Sequence, residues 1–155
     1  MSFSVIMICT GNICRSPMAE GILRTMLPAF LKPTVHVGSA GTQGLHGNRA
    51  EPFAIEAAAF YGADIGDHRA RMLDSQLVKS ADLILVMENH HLDVIGDMLF
   101  FRCKYARLLG DFAMDRKIGQ IEDPYGGPLS AYQACARDIV ACMPGLIDHI
   151  GRQVR

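Results

Sequence analysis

An α/β fold with a mostly parallel sheet is what this chain predicts, and three observations predict it. Four short β-rich runs are separated by stretches with helical spacing; two of those runs are almost unbroken apolar; and a turn-rich loop follows the first run directly. Unbroken apolar runs suit strands covered on both faces, as helices cover them in βαβ units. In such sheets a ligand binds beyond the carboxyl ends of the strands.

The elements follow in order. The first strand is "FSVIMIC" (3–9), which runs into "CTGNICRS". Ser16 then reads as a helix N-cap and Pro17 as the first helical residue. That helix carries Met18, Ile22, Leu23 and Met26 at helical spacing, and Leu27-Pro28 closes it. "TVHVGSA" (34–40) is the second strand, and "PFAIEAAAFY" (52–61) a helix stopped by Gly62. Short helices near 75–80 and 89–98 flank the third strand, "DLILVM" (82–87), and "YARLLG" (105–110) is the fourth. "MLFF" at 98–101 reads as core. A long helix starts near Ser130 with Tyr132, Cys135, Ile139 and Cys142 on one stripe, and Pro144 is expected to kink or divide it.

The length of 155 residues suits one domain over 1–155, and a chain of this size buries about 68–70% of its unfolded surface. Half the residues are hydrophobic and 20% are charged, an ordinary globular composition rather than a disordered one. The net charge is −1, from 15 basic and 16 acidic residues. That leaves no electrostatic footprint for nucleic acid or an acidic membrane; Arg69 and Arg71 are the nearest thing to a basic cluster. The first residues show no charged leader with a long apolar stretch, and no run approaches the ~18 apolar residues of a span, so neither secretion nor membrane insertion is expected. Five scattered cysteines, an odd number, argue against a disulfide framework and for a reducing cytoplasm. There is no C-x-x-C, and adjacent His90 and His91 would diverge on a helix. Neither a metal nor another cofactor is expected.

The chemistry lies in the loop after the first strand. Cys9 and Arg15 stand at its two ends. Taken alone, a cysteine ending a strand is a small hydrophobe, and an arginine opening a helix is a surface residue. The setting changes that reading. A helix N-terminus favours anions through its unpaired N–H groups and its macrodipole. Gly11 permits close approach and Asn12 tolerates a left-handed backbone, so successive N–H groups can converge as an anion nest. Arg15 adds a planar fork for two phosphate oxygens. The same positive field is expected to favour the Cys9 thiolate, which is the nucleophile, and Ser16 can donate a hydrogen bond to it. A thiolate facing a cradled phosphate implies phosphoryl transfer to sulfur and then to water.

"CTGNICRSP" resembles the signature of the low-molecular-weight protein tyrosine phosphatases, and the resemblance covers most of the chain. "SAGT" (39–42), "DHRARML" (67–73), "DLILVME" (82–88), "LLGDF" (108–112) and "EDPYGGP" (122–128) follow in that family's order. The resemblance implies a four-stranded parallel sheet flanked by helices, with a phosphate-binding loop after the first strand. It implies Cys9 as nucleophile and Arg15 as phosphate clamp, with Thr10, Gly11, Asn12, Ile13 and Cys14 around the substrate. Asn12, Ser16, Ser39 and His68 match the polar network that shapes the loop. Asp123 is implied as the acid that protonates the leaving tyrosine oxygen and later activates water; that role needs a protonated Asp at the start. Pro124 biases Asp123 towards an extended backbone. Tyr125 is implied as a pocket wall, and Cys14 as a thiol able to cap Cys9 under oxidation. Asp-Pro and Gly-Gly alone would read as a surface turn.

Two features bear on substrate. Gly126 stands where many eukaryotic members have a second aromatic, and "QGLHGN" places Leu45 and His46 as expected rim residues. The short 110–121 segment resembles bacterial members, which implies phosphotyrosyl proteins as substrates and a bacterial tyrosine autokinase controlling exopolysaccharide export as a partner. Three rivals remain in view. A protein-arginine phosphatase of the same fold has Thr where this chain has Ile13, and Ile favours an aryl ring. A thioredoxin-coupled arsenate reductase needs further redox cysteines after the third strand, and none lies between Cys14 and Cys103. A non-catalytic phosphate-binding module would be expected to have lost part of the Cys9, Arg15 and Asp123 set.

Overall fold

The computed structural model describes residues 2–100, 103 and 105–154. Strands β1 (Phe3–Cys9), β2 (Val35–Gly41), β3 (Leu83–Val86) and β4 (Ala106–Leu108) form one sheet in the order β2-β1-β3-β4, with every pairing parallel. Helices α1 (Arg15–Met26), α2 (Pro52–Ala59), α3 (Ser75–Ser80), α4 (Asn89–Leu99) and α5 (Leu129–Gln153) connect and cover it.

The strand period divides β1 cleanly between two cores. Val5, Met7 and Cys9 pack with α1, α2 and α5 on one face. Ile6 and Ile8 pack with Val78, Ile95 and Leu99 of α3 and α4 on the other. This two-sided cover is the reason "VIMIC" has no polar residue. Tyr132, Cys135, Ile139 and Cys142 line the buried side of α5 as their spacing predicts, joined by Met143 and Leu146. Pro144 lies on the exposed side of α5, and the helix runs through it undivided.

Three local expectations are corrected. Helix α1 begins at Arg15, with Cys14 as its N-cap and no side-chain cap bond, so Ser16 lies in the first turn instead of capping it. Met18, Ile22 and Leu23 are fully buried, whereas Met26 is exposed because the chain turns inward at Leu27 instead. In the "MLFF" run Leu99 is core, but Phe100 ends α4 in the left-handed conformation (φ 61°) and projects into solvent; Phe101 lies outside the described residues.

Register sets where function can reside. Cys9 pairs with Gly41, and Ile8 with Val86, so the loops leaving β1, β2 and β3 gather at one edge. Gly41 is the tight point of that edge. A Cβ there would lie 2.4 Å from the Thr10 carbonyl oxygen and 2.9 Å from the Asn12 nitrogen, both backbone atoms. Gly41→Ala should therefore push β2 off the loop and lower unfolding free energy by about 1–3 kcal/mol. Urea denaturation measures this, and an unchanged midpoint would refute the close approach.

Candidate active site

The loop between β1 and α1 has a one-sided hydrogen-bond pattern. Every carbonyl from Cys9 to Cys14 is engaged. Cys9 O accepts from Thr42 N–H, Thr10 O from Gln43, Gly11 O from Leu45, Ile13 O from Glu51, and Cys14 O from Met18. Asn12 O accepts from His68 Nε2 at 2.7 Å. The backbone N–H groups of residues 11–16 have no hydrogen-bond partner among the described residues.

Asn12 makes this pattern feasible. Its φ of 59° turns the chain through the left-handed region, which Asn tolerates better than most residues. The side chain is buried and fully satisfied. Oδ1 accepts from Arg71 N–H at 2.9 Å, which fixes Nδ2 towards Ser16 Oγ (2.7 Å) and Ser39 Oγ (3.0 Å). Ser39 in turn donates to Glu20, which is paired with Arg24 at 2.6 Å. Ser16 Oγ accepts from Asn12 and lies 2.9 Å from Cys9 Sγ, where its hydroxyl hydrogen can be donated to a thiolate. This is why Ser16 does not cap the helix.

Arg15 is almost completely buried. Such a charge is costly unless it is paired and hydrogen-bonded. Nη1 donates to Ile121 O at 2.9 Å and sits 3.1 Å from Glu88 Oε2, while Nη2 lies 3.5 Å from Asp123 Oδ2. Among the described residues Nε has no hydrogen-bond partner. Partial burial works to raise the Glu88 carboxyl, but hydrogen bonds from His90 and Arg15 outweigh it and hold the group below its ordinary value.

A cavity of about 250 Å³ opens over this loop. Cys9, Thr10, Gly11, Ile13, Cys14 and Arg15 of the loop line it together with Gln43, Leu45, Asp123 and Tyr125. Asp123 Oδ1 accepts from Tyr125 N–H at 3.1 Å, which ties the carboxylate to the following turn. The buried Cys14 thiol donates to Tyr132 Oη at 3.6 Å, and burial pushes it up to about 12. Asn12, Ser16, Ser39, His68 and the buried Pro124 stand behind these walls. His46 does not line the cavity. It faces a neighbouring groove with Arg71 and Met72, and Gln43 occupies the wall expected for it.

Sequence reasoning missed Glu88 and His91. Glu88 follows the apolar run of β3 directly before a helix, a position where a carboxylate needs a partner, and that was the available signal. His90 and His91 do not diverge: their rings lie 4.0 Å apart, because His90 folds back to Glu88 Oε2 at 2.8 Å. Glu88, His90 and His91 thus bring three donor atoms within 4.8 Å of one another, a group of metal-binding type. Its donors are already engaged inside the protein. Glu88 Oε2 takes Arg15 and His90, while His91 bonds Glu88 N–H through Nδ1 and Thr10 through Nε2. A cation would also face the Arg15 guanidinium, so the group reads as a hydrogen-bond cluster.

Comparison with known proteins agrees with this geometry. The family model described as "Low molecular weight phosphotyrosine protein phosphatase" matches residues 4–155. Low molecular weight protein-tyrosine-phosphatase Etp of Escherichia coli strain K12 is 42% identical over 130 residues, which is 84% of this chain and 82% of Etp. The tyrosine phosphatase Wzb of Escherichia coli K30, solved with sulphate, superposes with a TM-score of 0.84 at 32% identity, covering 97% of this chain and 99% of Wzb. The YwlE arginine phosphatase of Geobacillus stearothermophilus gives the same TM-score, 0.84, at 28% identity, covering 97% of this chain and 94% of its own. Backbone likeness therefore does not separate the two chemistries. From the match over residues 4–155 and the relatedness to Etp, this chain belongs to the low molecular weight phosphotyrosine protein phosphatase family.

Proposed function

We propose that this chain hydrolyses phosphotyrosine in proteins through a phosphocysteine intermediate on Cys9. The observation that carries the reading is the row of unpaired N–H groups over residues 11–16, next to the unpartnered Nε of Arg15 and the Cys9 sulfur. A dianionic phosphate satisfies such a row, and the Arg15 fork adds a bidentate contact.

In the first step the Cys9 thiolate attacks phosphorus. The S–P bond forms, the P–O bond to tyrosine breaks, and protonated Asp123 gives its proton to the departing phenolate. In the second step water attacks phosphorus and passes a proton to Asp123; the S–P bond breaks and inorganic phosphate leaves. Ser16 Oγ–H stabilises the sulfur each time it carries negative charge, from 2.9 Å. Arg15 and the loop N–H groups hold the equatorial oxygens.

Specificity rests on the walls. Ile13 and Leu45 give an apolar side and Tyr125 an exposed aromatic one, which suits an aryl ring. The remaining thiols do not favour redox chemistry. Cys103, Cys135 and Cys142 are buried, and burial pushes Cys142 up to about 12 and Cys135 further in the same direction. A bacterial tyrosine autokinase is the partner that likeness to the bacterial members supports. No described helix is long and apolar enough to cross a membrane, and five unpaired thiols fit a cytoplasmic location.

Steady-state hydrolysis of aryl phosphates tests the chemistry. Cys9→Ser should abolish turnover, and retained turnover would sink the mechanism. Asp123→Ala should slow poor leaving groups most, steepening the dependence of rate on phenol pKa; an unchanged slope would remove Asp123 as the acid. Competing phosphotyrosine against phosphoarginine tests the wall. Wild type should prefer phosphotyrosine, and Ile13→Thr should shift the kcat/KM ratio towards phosphoarginine on the order of tenfold. Wild-type preference for phosphoarginine would reverse the assignment.

A further inference from the structure

The turn that opens α4 holds both ends of the phosphate loop. Glu88 is the N-cap of α4 and His91 its third residue, and the two form a reciprocal capping box. Glu88 Oε2 receives Arg15 Nη1 at 3.1 Å, at the helix end of the loop. His91 reaches the other end, with Nε2 2.9 Å from Thr10 Oγ1, across 81 residues of sequence.

The tautomer of His91 follows from its partners. Nδ1 accepts the Glu88 N–H at 3.1 Å, so in the neutral ring the proton sits on Nε2 and is donated to Thr10 Oγ1. Burial, aided by His90 and Arg15, pushes the imidazole down to about 4, against a smaller opposing pull from Glu88, so the ring is neutral at ordinary pH. Thr10 is thereby fixed from two sides, its side chain by His91 and its carbonyl by Gln43 N–H. Fixing the plane of the peptide after Thr10 also fixes the direction of Gly11 N–H, the first of the unpaired donors. Thr10 is bonded directly to Cys9, so its placement sets the start of the loop at the nucleophile.

We infer that His91 is a positioning residue for the phosphate loop: acting through Thr10, and paired with Glu88 acting through Arg15, it sets the separation between nucleophile and guanidinium. The inference rests on the proposed phosphatase reading of the Cys9 loop. It assigns Thr10 a task that a purely steric lining residue would not have.

The test measures kcat/KM for 4-nitrophenyl phosphate, whose good leaving group depends little on Asp123, and the competitive Ki of inorganic phosphate. Thr10→Val removes the hydroxyl at nearly constant shape. His91→Asn keeps an acceptor at the δ position for Glu88 N–H but cannot reach Thr10, whereas His91→Gln places an N–H donor at the ε position. Thr10→Val and His91→Asn should each lower kcat/KM about five- to tenfold and weaken phosphate binding, the scale of one lost hydrogen bond. His91→Gln should recover most of the loss, and the double variant Thr10→Val/His91→Asn should be no slower than the slower single variant. Wild-type kinetics in Thr10→Val, a His91→Gln as slow as His91→Asn, or multiplicative losses in the double variant would each overturn the proposal. Should the His91 variants fail to fold by circular dichroism, Thr10→Val decides alone. A wild-type protein without turnover overturns the phosphatase reading and this one with it; normal turnover with unaffected variants overturns this one only.

Discussion

The site depends on which side of one short loop has its hydrogen bonds satisfied. Buried backbone groups need partners, and in most loops donors and acceptors are satisfied together. Here six consecutive carbonyls, from Cys9 to Cys14, are engaged by the β2 loop, α2, α1 and His68, while the N–H groups of residues 11–16 are left over. The surrounding elements thus act as acceptor-side anchors. Asn12 in the left-handed region lets the chain change direction without breaking that pattern, and Gly41 lets β2 come near enough to provide part of it.

A second constraint follows from the first. A concave array of donors attracts an anion, and burying Arg15 beside it places a full charge where solvent cannot help. Glu88, Ile121 O and Asp123 share the compensation, and they come from two segments, residue 88 and residues 121–123, both far from Arg15 in sequence. Asp123 is tied to the guanidinium before any substrate arrives. The carboxylate is therefore placed by the same contact that helps hold the arginine. Glu88 plays a purely internal part, since its Oε2 is engaged by Arg15 and His90.

Much of this was readable from residues. The unbroken apolar run of β1, the Gly and Asn of its loop, and the stripe Tyr132, Cys135, Ile139, Cys142 each obey a local rule that tertiary structure did not override. The Cys9, Arg15 and Asp123 grouping was legible through the family signature, and the cavity does bring the three together. What escaped were side chains that bond a neighbour in a loop or first turn against the rule their residue type suggests. Ser16 has the residue type of a cap, but its hydroxyl is engaged by both Asn12 and Cys9. His90 and His91 look divergent on a helical wheel, yet they sit at a first turn where Glu88 folds back. The loop "QGLHGN" suggests Leu45 and His46 together for the rim, but His46 lines the neighbouring groove with Arg71 and Met72, next to the turn at Gly47 with φ 86°.

The unpaired donors have a consequence for how the protein is observed. Amide protons without acceptors have no hydrogen bond of their own to slow exchange with solvent, and the stretch from 11 to 16 collects six of them. An oxyanion that closes the array turns those same amides into protected ones. Occupancy of the loop is then legible residue by residue as hydrogen–deuterium exchange protection at those six amides.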